Sequence, residues 1–208
     1  MERNGTPSRN VEDMKPEDTQ SNISESLIIF VDIIFGVVIA ESFAQYHDSL
    51  FHPSLPPSPI FAGLLTVYIV TVMSWIGYHS SVTKYPYKNS NLAKLRFSID
   101  LVIVAMYAYL FYSVGTFETN PDLSSYLLGF PIIFTLYIAS GLIKQKEYND
   151  EASKQRLLRA CLVVFILMYC IYHFLVLPLW FSYLWPLNWV FILLPLIVNA
   201  EYRRRRGW

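Results

Sequence analysis

The chain has 208 residues and a formal net charge of zero, and 54% of its residues are hydrophobic while only 15% are charged. Soluble globular domains carry about 25% charged residues, so this composition argues against a soluble domain and favours a protein embedded in lipid. Beyond the N-terminal segment, Lys and Arg fall in short segments between apolar runs, which argues against nucleic acid as a partner.

The N-terminal segment, residues 1–22, is polar and rich in Asp, Glu, Ser and Asn. It has no basic stretch that leads into a short apolar core, so we expect no cleaved signal peptide. Its composition favours a disordered tail over a folded one.

Six apolar runs follow this tail. A helix needs about 20 apolar residues to cross a bilayer. We therefore predict an all-α membrane protein with six transmembrane helices, numbered one to six, at Ser26–Tyr46, Pro59–His79, Phe97–Val114, Leu123–Ile143, Leu157–Val176 and Leu179–Ala200. Helices five and six share one long apolar stretch, in which Pro178 and Pro186 mark the break. The predicted membrane domain is residues 23–200, and a basic tail follows at 201–208.

Basic residues mark every second connection between these helices. They are Lys84, Lys88, Lys94 and Arg96 after helix two, Lys144, Lys146, Lys154, Arg156 and Arg159 after helix four, and Arg203–Arg206 after helix six. The alternate connections, 46–58, 115–122 and 177–185, contain neither Lys nor Arg. Because cytoplasmic loops carry the excess of Lys and Arg, we predict a multi-pass protein of the cell membrane with both termini in the cytoplasm. We expect the arginine tail to anchor on anionic lipid headgroups.

Four ionisable residues are predicted to lie at one level near the cytoplasmic surface: Asp32, His79, Arg96 and Asp100. A charge inside a bilayer costs about 2.5–3.5 kcal/mol on insertion scales, so each group needs a partner or water. We favour an interhelical polar network that fixes the register of the helices. The alternative is a proton or ion pathway, which requires that these groups face water.

Helix one carries a second acid, Glu41, nine residues after Asp32. At about 100° per residue the two side chains fall on opposite faces of the helix. One face is predicted to carry Phe30, Ile34, Val37 and Glu41, and the other Asp32, Phe35, Gly36 and Ile39. If Asp32 packs inside the subunit, Val37 and Glu41 point towards another subunit or a pore, as an apolar constriction beside an acidic ring. For Glu41, a cap on an outer vestibule or a pairing at the interface is an equally weighted alternative.

The run Phe30-Val31-Asp32-Ile33-Ile34-Phe35-Gly36-Val37 resembles the first-helix signature of the transmembrane protein 175 family of potassium channels and its bacterial relatives. Phe30, Asp32 and Phe35 match that signature, while Ser26 and Val31 stand where the family has Arg and Ser. Trp75 and His79 are similar to the Trp and the second His that close helix two in the family.

The resemblance implies a potassium channel that assembles as a homotetramer, in which helix one of each subunit lines a central pore closed by apolar side chains. The gating position of the family falls on Val37, and the polar residues of the motif hold helices together behind the pore. No Thr-Val-Gly-Tyr-Gly filter occurs in this sequence. Cation preference would therefore come from the constriction and from Glu41.

Other function classes have less support in the sequence. Neither a rhomboid-type Gly-x-Ser-Gly motif nor a Gly-x-Gly-Asp motif is present, so we predict no enzyme activity and expect no cofactor. His47, Asp48 and His52 provide too few ligands to predict a metal site. The remaining alternative is a non-conducting membrane sensor or scaffold for stress or defence, which would bind a cytoplasmic protein through residues 1–22 or 144–159.

Overall fold

A computed structural model describes residues 16–51, 58–118, 122–148, 155–176 and 185–206, with side chains for residues 24–51, 58–117, 122–148, 155–176 and 188–205. These residues form α1 Pro16–Phe51, α2 Pro59–Lys84, α3 Asn91–Gly115, α4 Ser124–Tyr148, α5 Gln155–Ile171 and α6 Trp185–Arg206. A short 3-10 turn, Thr116–Glu118, follows α3, and a π-helical turn, Tyr172–Val176, extends α5. Because no strand occurs within the described ranges, the predicted all-α class is confirmed.

Five helical segments are long and apolar enough to cross a membrane: Ser24–Phe51, Pro59–Lys84, Asn91–Gly115, Ser124–Tyr148 and Gln155–Val176. The architecture is therefore that of a multi-pass membrane protein. α6 is more polar overall because its last turns carry Glu201 and Arg203–Arg206. A sixth crossing at Leu179–Ala200 stays a prediction. Pro186 is the second residue of α6, where a missing backbone N–H is tolerated, whereas Pro178 lies outside the described residues.

α2 and α3 are longer than the predicted spans, because α2 continues to Lys84 and α3 begins at Asn91. Each helix begins after a serine whose Oγ accepts a backbone N–H of the first turn, Ser58 from Phe61 and Ser90 from Ala93. Such N-caps satisfy donors that the helix itself leaves unpaired. The apolar runs thus locate these helices, and the capping serines determine where they begin.

α1 and α6 extend into the segments that the sequence analysis assigned to tails. α1 begins at Pro16, inside the segment predicted to be disordered, and α6 continues to Arg206. Within α1 the backbone leaves helical geometry at Tyr46, with φ −117° and ψ 17°. The predicted end of helix one therefore coincides with a kink, after which the helix resumes.

The helix ends gather at two opposite ends of the bundle. We call one the basic end, formed by residues 85–90 and the last turns of α4 and α6; there the Lys88 ammonium donates to the carbonyl of Glu147 at 3.0 Å. We call the other the aromatic end, formed by residues 116–118, residues 122–123 and the end of α5; there the Tyr172 hydroxyl accepts the backbone N–H of Leu123 at 2.9 Å. These contacts join α4 to its neighbours at both of its ends.

The core between the two ends is apolar and aromatic. Its most deeply buried side chains include Leu64, Val67, Val104, Tyr107, Leu110, Val114, Tyr126, Leu127, Phe130 and Phe165. Gly63 allows α2 to approach α3, because a Cβ there would lie 2.9 Å from Cγ1 of Val114. Small residues at such crossings are typical of helix packing in membranes.

Candidate functional site

α1 has one face towards the bundle and one face away from it. On the inward face, Val31 and Phe35 are at most 3% exposed. On the outward face, Ile33, Val37 and Glu41 follow one another at intervals of four residues and are all exposed, Val37 by 58%. We call Ile33, Val37 and Glu41 the outer stripe of α1. Of the five apolar helices, α1 is the least buried. In its most apolar stretch of 18 residues, 17% are buried, against 28–50% in the corresponding stretches of the others.

Glu41 is the charged member of the outer stripe. Within the described ranges, no hydrogen bond or ion pair reaches it. Asp32 faces α2 instead, as helical phase predicts for a residue half a rotation away. Gly36, which was assigned to the face of Asp32, is exposed, and nothing lies within 4 Å of a Cβ built there. The open face of α1 is therefore wider than the sequence analysis predicts.

Asp32 links α1 to α2. Its Oδ1 accepts the indole N–H of Trp75 at 2.9 Å and lies 2.8 Å from Nε2 of His79. The side chains of Asp32 and His79 are 31% and 38% exposed. This network therefore lies at the side of the bundle and not in its core.

The two phenylalanines of the first-helix motif pack in different surroundings. Phe35 is buried with its ring centroid 6.5 Å from that of Tyr78 and 6.3 Å from that of Tyr107. Phe30 is exposed and lies 6.1 Å from Phe97 of α3, measured between ring centroids. Both residues fix α1 against the bundle, and Phe35 does so from inside the core.

Arg96 belongs to a second, buried network. Its Nη1 lies 2.7 Å from Oε2 of Glu147, and each of the two side chains is 2% exposed. Its Nη2 donates to the carbonyl of Tyr85 at 2.8 Å, and its guanidinium lies over the ring of Tyr87 at 4.4 Å. Because the two charges are buried, paired and hydrogen-bonded, they lock the start of α3 to the end of α4.

Asp100 lies beside this pair, and both of its carboxylate oxygens accept hydrogen bonds. The Tyr87 hydroxyl donates to Oδ2 at 2.8 Å, and the Ser140 hydroxyl donates to Oδ1 at 3.0 Å. Burial, reinforced by the Asp100 carboxylate, raises the pKa of Tyr87 well above its usual value. Tyr87 therefore stays protonated and remains a hydrogen-bond donor at every physiological pH.

The four ionisable residues that were placed at one level thus form two networks. Asp32 and His79 join α1 to α2, while Arg96 and Asp100 join α3 to α4. Sequence reasoning missed the partners Glu147, Tyr87 and Ser140. For Glu147 a signal existed, because continuing helix four by one turn past its predicted end at Ile143 places this acid at the level of Arg96.

The C-terminal arginines do not all point away from the bundle. Arg203 is 7% exposed, and its guanidinium packs against the backbone of Gly77. Arg204 and Arg205 are exposed and pair with Glu201 at 2.7 and 2.6 Å, and their hydrogen bonds lower the pKa of Glu201 to about 2. Because α6 continues through these residues, successive side chains point about 100° apart, and one of them enters the bundle.

No metal site emerges among the described residues, where no three His, Cys, Asp or Glu side chains are grouped. His47 is exposed, with Nε2 at 3.1 Å from Oδ1 of Asp48 and Nδ1 at 3.3 Å from the carbonyl oxygen of Ala44. His52, the third residue considered for this loop, lies outside the described residues.

No family model, curated protein or solved structure matches this chain. The resemblance to the transmembrane protein 175 family therefore rests on Phe30, Asp32, Phe35, Trp75 and His79.

Proposed function

We propose that this chain is the subunit of a cation channel of potassium type, assembled as a homotetramer with α1 of each subunit around a central pore. Val37 forms the apolar constriction, and Glu41 forms an acidic ring on the side of the aromatic end. Membrane lipids surround the remaining helices.

The observation that carries this proposal is the outer stripe of α1. A carboxylate that faces lipid costs about 2.5–3.5 kcal/mol on insertion scales, and charged residues in membrane helices almost always face a bundle interior or water. Glu41 is exposed and does not face the interior of the described bundle. A water-filled axis between subunits supplies the missing polar surroundings, and Val37, about one turn away, faces the same axis.

The proposal includes six crossings with both ends of the chain in the cytoplasm. The predicted sixth crossing, Leu179–Ala200, has 22 residues and as a helix would span about 33 Å, which is close to the thickness of the bilayer core. α6 covers its part from Trp185 to Ala200. The basic end gathers residues 85–90 with the ends of α4 and α6, so the described Lys and Arg residues that follow α2, α4 and α6 lie on one side. The positive-inside rule places that side in the cytoplasm.

In this proposal the two polar networks are structural. Asp32, Trp75 and His79 hold α1 against α2 behind the pore, while Arg96 and Glu147 fix the basic end. The permeation path then depends on the outer stripe alone.

The test is ion flux through purified protein reconstituted in liposomes, with potassium, sodium and protons compared. We expect potassium flux from the wild type and a severalfold higher leak from Val37→Ala, because a smaller side chain widens the constriction.

The matched control is Val163→Ala on α5. Val163 is 55% exposed, nearly as much as Val37, but lies on a helix that faces lipid in the proposal. An equal rise of flux in both variants would indicate a disturbed bundle and not a pore. No flux from well-folded wild type and Val37→Ala would instead favour the non-conducting membrane sensor.

A further inference from the structure

A cavity of about 100 Å³ lies inside the basic end, lined by residues of α2, α3, α4, α5 and α6. One water molecule needs about 10–15 Å³ by the same kind of measure, so the cavity has room for several waters or for a small polyatomic ion. α1 contributes only Phe35 to its walls, and the outer stripe contributes nothing.

The walls of the cavity carry more positive than negative charge. Among the described residues, Arg96, Lys144 and Arg203 line it together with one carboxylate, that of Asp100. Even when Glu147 is counted as the partner of Arg96, three cationic groups stand against two carboxylates. This excess of positive charge favours an anion over a cation.

Asp100 does not offer a cation site in this cavity. Both of its oxygens accept hydrogen bonds from hydroxyl groups, those of Tyr87 and Ser140. A cation bound there would have to displace these donors.

The chain holds Lys144 and Arg203 in place around the cavity. The Lys144 ammonium donates to the hydroxyl of Ser81. The Arg203 guanidinium occupies the space where a side chain at position 77 would begin, so Gly77 is required for its position. α2 thus positions one cation from α4 and one from α6, and its Ser81 hydroxyl lies beside them.

We propose that this cavity binds a phosphate group, held by the guanidinium of Arg203, the ammonium of Lys144 and the hydroxyl of Ser81. A tetrahedral oxyanion offers several acceptor oxygens, which match a planar guanidinium fork, a point-charge ammonium and a hydroxyl converging from different helices. The phosphate belongs either to free inorganic phosphate or to the headgroup of an anionic lipid at the bilayer surface. This site is independent of the proposed pore, so each proposal can fail without the other.

The first experiment uses the full chain, purified in detergent without phosphate. Inorganic phosphate is titrated while the midpoint of thermal unfolding is followed, with chloride at equal ionic strength as reference. A ligand that binds only the folded protein raises this midpoint. We expect Arg203→Gln to weaken phosphate binding about 10- to 100-fold, the range for loss of a charged hydrogen bond.

The matched control is Arg204→Gln. Arg204 is the next residue of α6, is exposed and pairs with Glu201 outside the cavity. We expect it to leave phosphate affinity unchanged.

The second arm tests the lipid source. The protein is exchanged into mixed micelles of phosphatidylglycerol or phosphatidylcholine, and the lipid retained after washing is quantified by mass spectrometry. Retention of phosphatidylglycerol that is lost in Arg203→Gln but kept in Arg204→Gln assigns the site to a headgroup, whereas a response to inorganic phosphate with the same pattern assigns it to the free ion.

Two further variants guard against misfolding of Arg203→Gln. Lys144→Gln removes one cation and leaves a side chain able to donate to Ser81, and Gly77→Ala displaces the guanidinium without changing any charge. Weaker binding in both, in folded protein, supports the site. Binding of neither phosphate nor anionic lipid by the wild type, or equal binding by all variants, would overturn it.

Discussion

Glu147 and Glu41 are two carboxylates on apolar helices, and their surroundings in the chain are opposite: one is buried and the other is exposed. Glu147 is buried at the basic end, where Arg96 pairs with it and the backbone N–H of Lys88 donates to it. Glu41 lies on the outer stripe of α1, where the described part of the subunit provides no partner. Glu147 therefore stabilises the fold of the chain, whereas Glu41 makes no polar contact within the described residues and depends on the proposed pore for polar surroundings.

The largest effect is expected where the buried charge loses its partner. Glu147→Gln leaves the Arg96 guanidinium buried without a carboxylate, and removal of one partner of a buried pair costs about 3–5 kcal/mol. We expect a strongly lowered midpoint of thermal unfolding in detergent and a lower yield of folded protein.

The double variant Arg96→Met with Glu147→Leu sharpens this test. It removes both charges together, so much of the lost stability should return. The control for charge loss alone is Glu201→Gln, whose carboxylate is exposed and which should change the midpoint far less. Equal effects of Glu147→Gln and Glu201→Gln would contradict the buried pair as a stabilising element.

A smaller effect is expected from crowding the inner surface of the bundle. Gly63→Ala places a methyl group 2.9 Å from Cγ1 of Val114, and overpacking of this kind costs about 1–3 kcal/mol. Gly36→Ala is the matched control, because nothing lies within 4 Å of a Cβ at that position. There the gain in helix propensity should stabilise the protein by up to about 1 kcal/mol. Denaturation of the two variants side by side measures the difference, and a loss for Gly36→Ala as large as for Gly63→Ala would mean that the outward face of α1 is packed.

Asp32 lies at the side of the bundle, and we expect a smaller effect on stability there than at Gly63. Asp32→Asn weakens the contacts to Trp75 and His79, and since the network is about one-third exposed we expect a loss of about 1 kcal/mol. The effect should appear as reduced assembly by size-exclusion chromatography, with ion flux per assembled channel unchanged. Altered ion preference with normal assembly would move Asp32 from the structural network to the permeation path.

The smallest change in stability is expected at Glu41. Glu41→Gln removes a charge that makes no contact within the described chain, so stability should change by no more than about 0.5 kcal/mol. In liposomes, however, the variant should lose part of its preference for cations over anions, whereas Glu41→Asp should keep it. Unchanged preference in both variants would remove the acidic ring from the proposed pore.

Helical phase predicted much of α1 from sequence, because a regular helix fixes which residues share a face. The division between Asp32 and Glu41 and the proximity of Asp32 to His79 both follow from that regularity. Gly36 and Tyr46 could not be placed in this way, since the width of the open face and the kink depend on how α2 and α3 pack against α1.

The buried network at the basic end was predicted only in part. Arg96 and Asp100 were recognised as ionisable residues near a helix start, but Glu147 and Arg203 were assigned to a loop and a tail. Apolar runs mark where a helix must be in lipid and not where it ends. The partners of Arg96 and the inward turn of Arg203 depend on helical turns that polar residues add beyond those runs.

Arg203 is synthesised later than Arg96 and Lys144, the other cationic residues of the cavity. Gly77 and Ser81 on α2 and Lys144 on α4 are made well before α6, so for some time the growing chain carries the basic-end cavity without its guanidinium. Packing of α6 against α2 is then the step that adds this guanidinium to the cavity, and a chain whose synthesis stops before residue 203 lacks it.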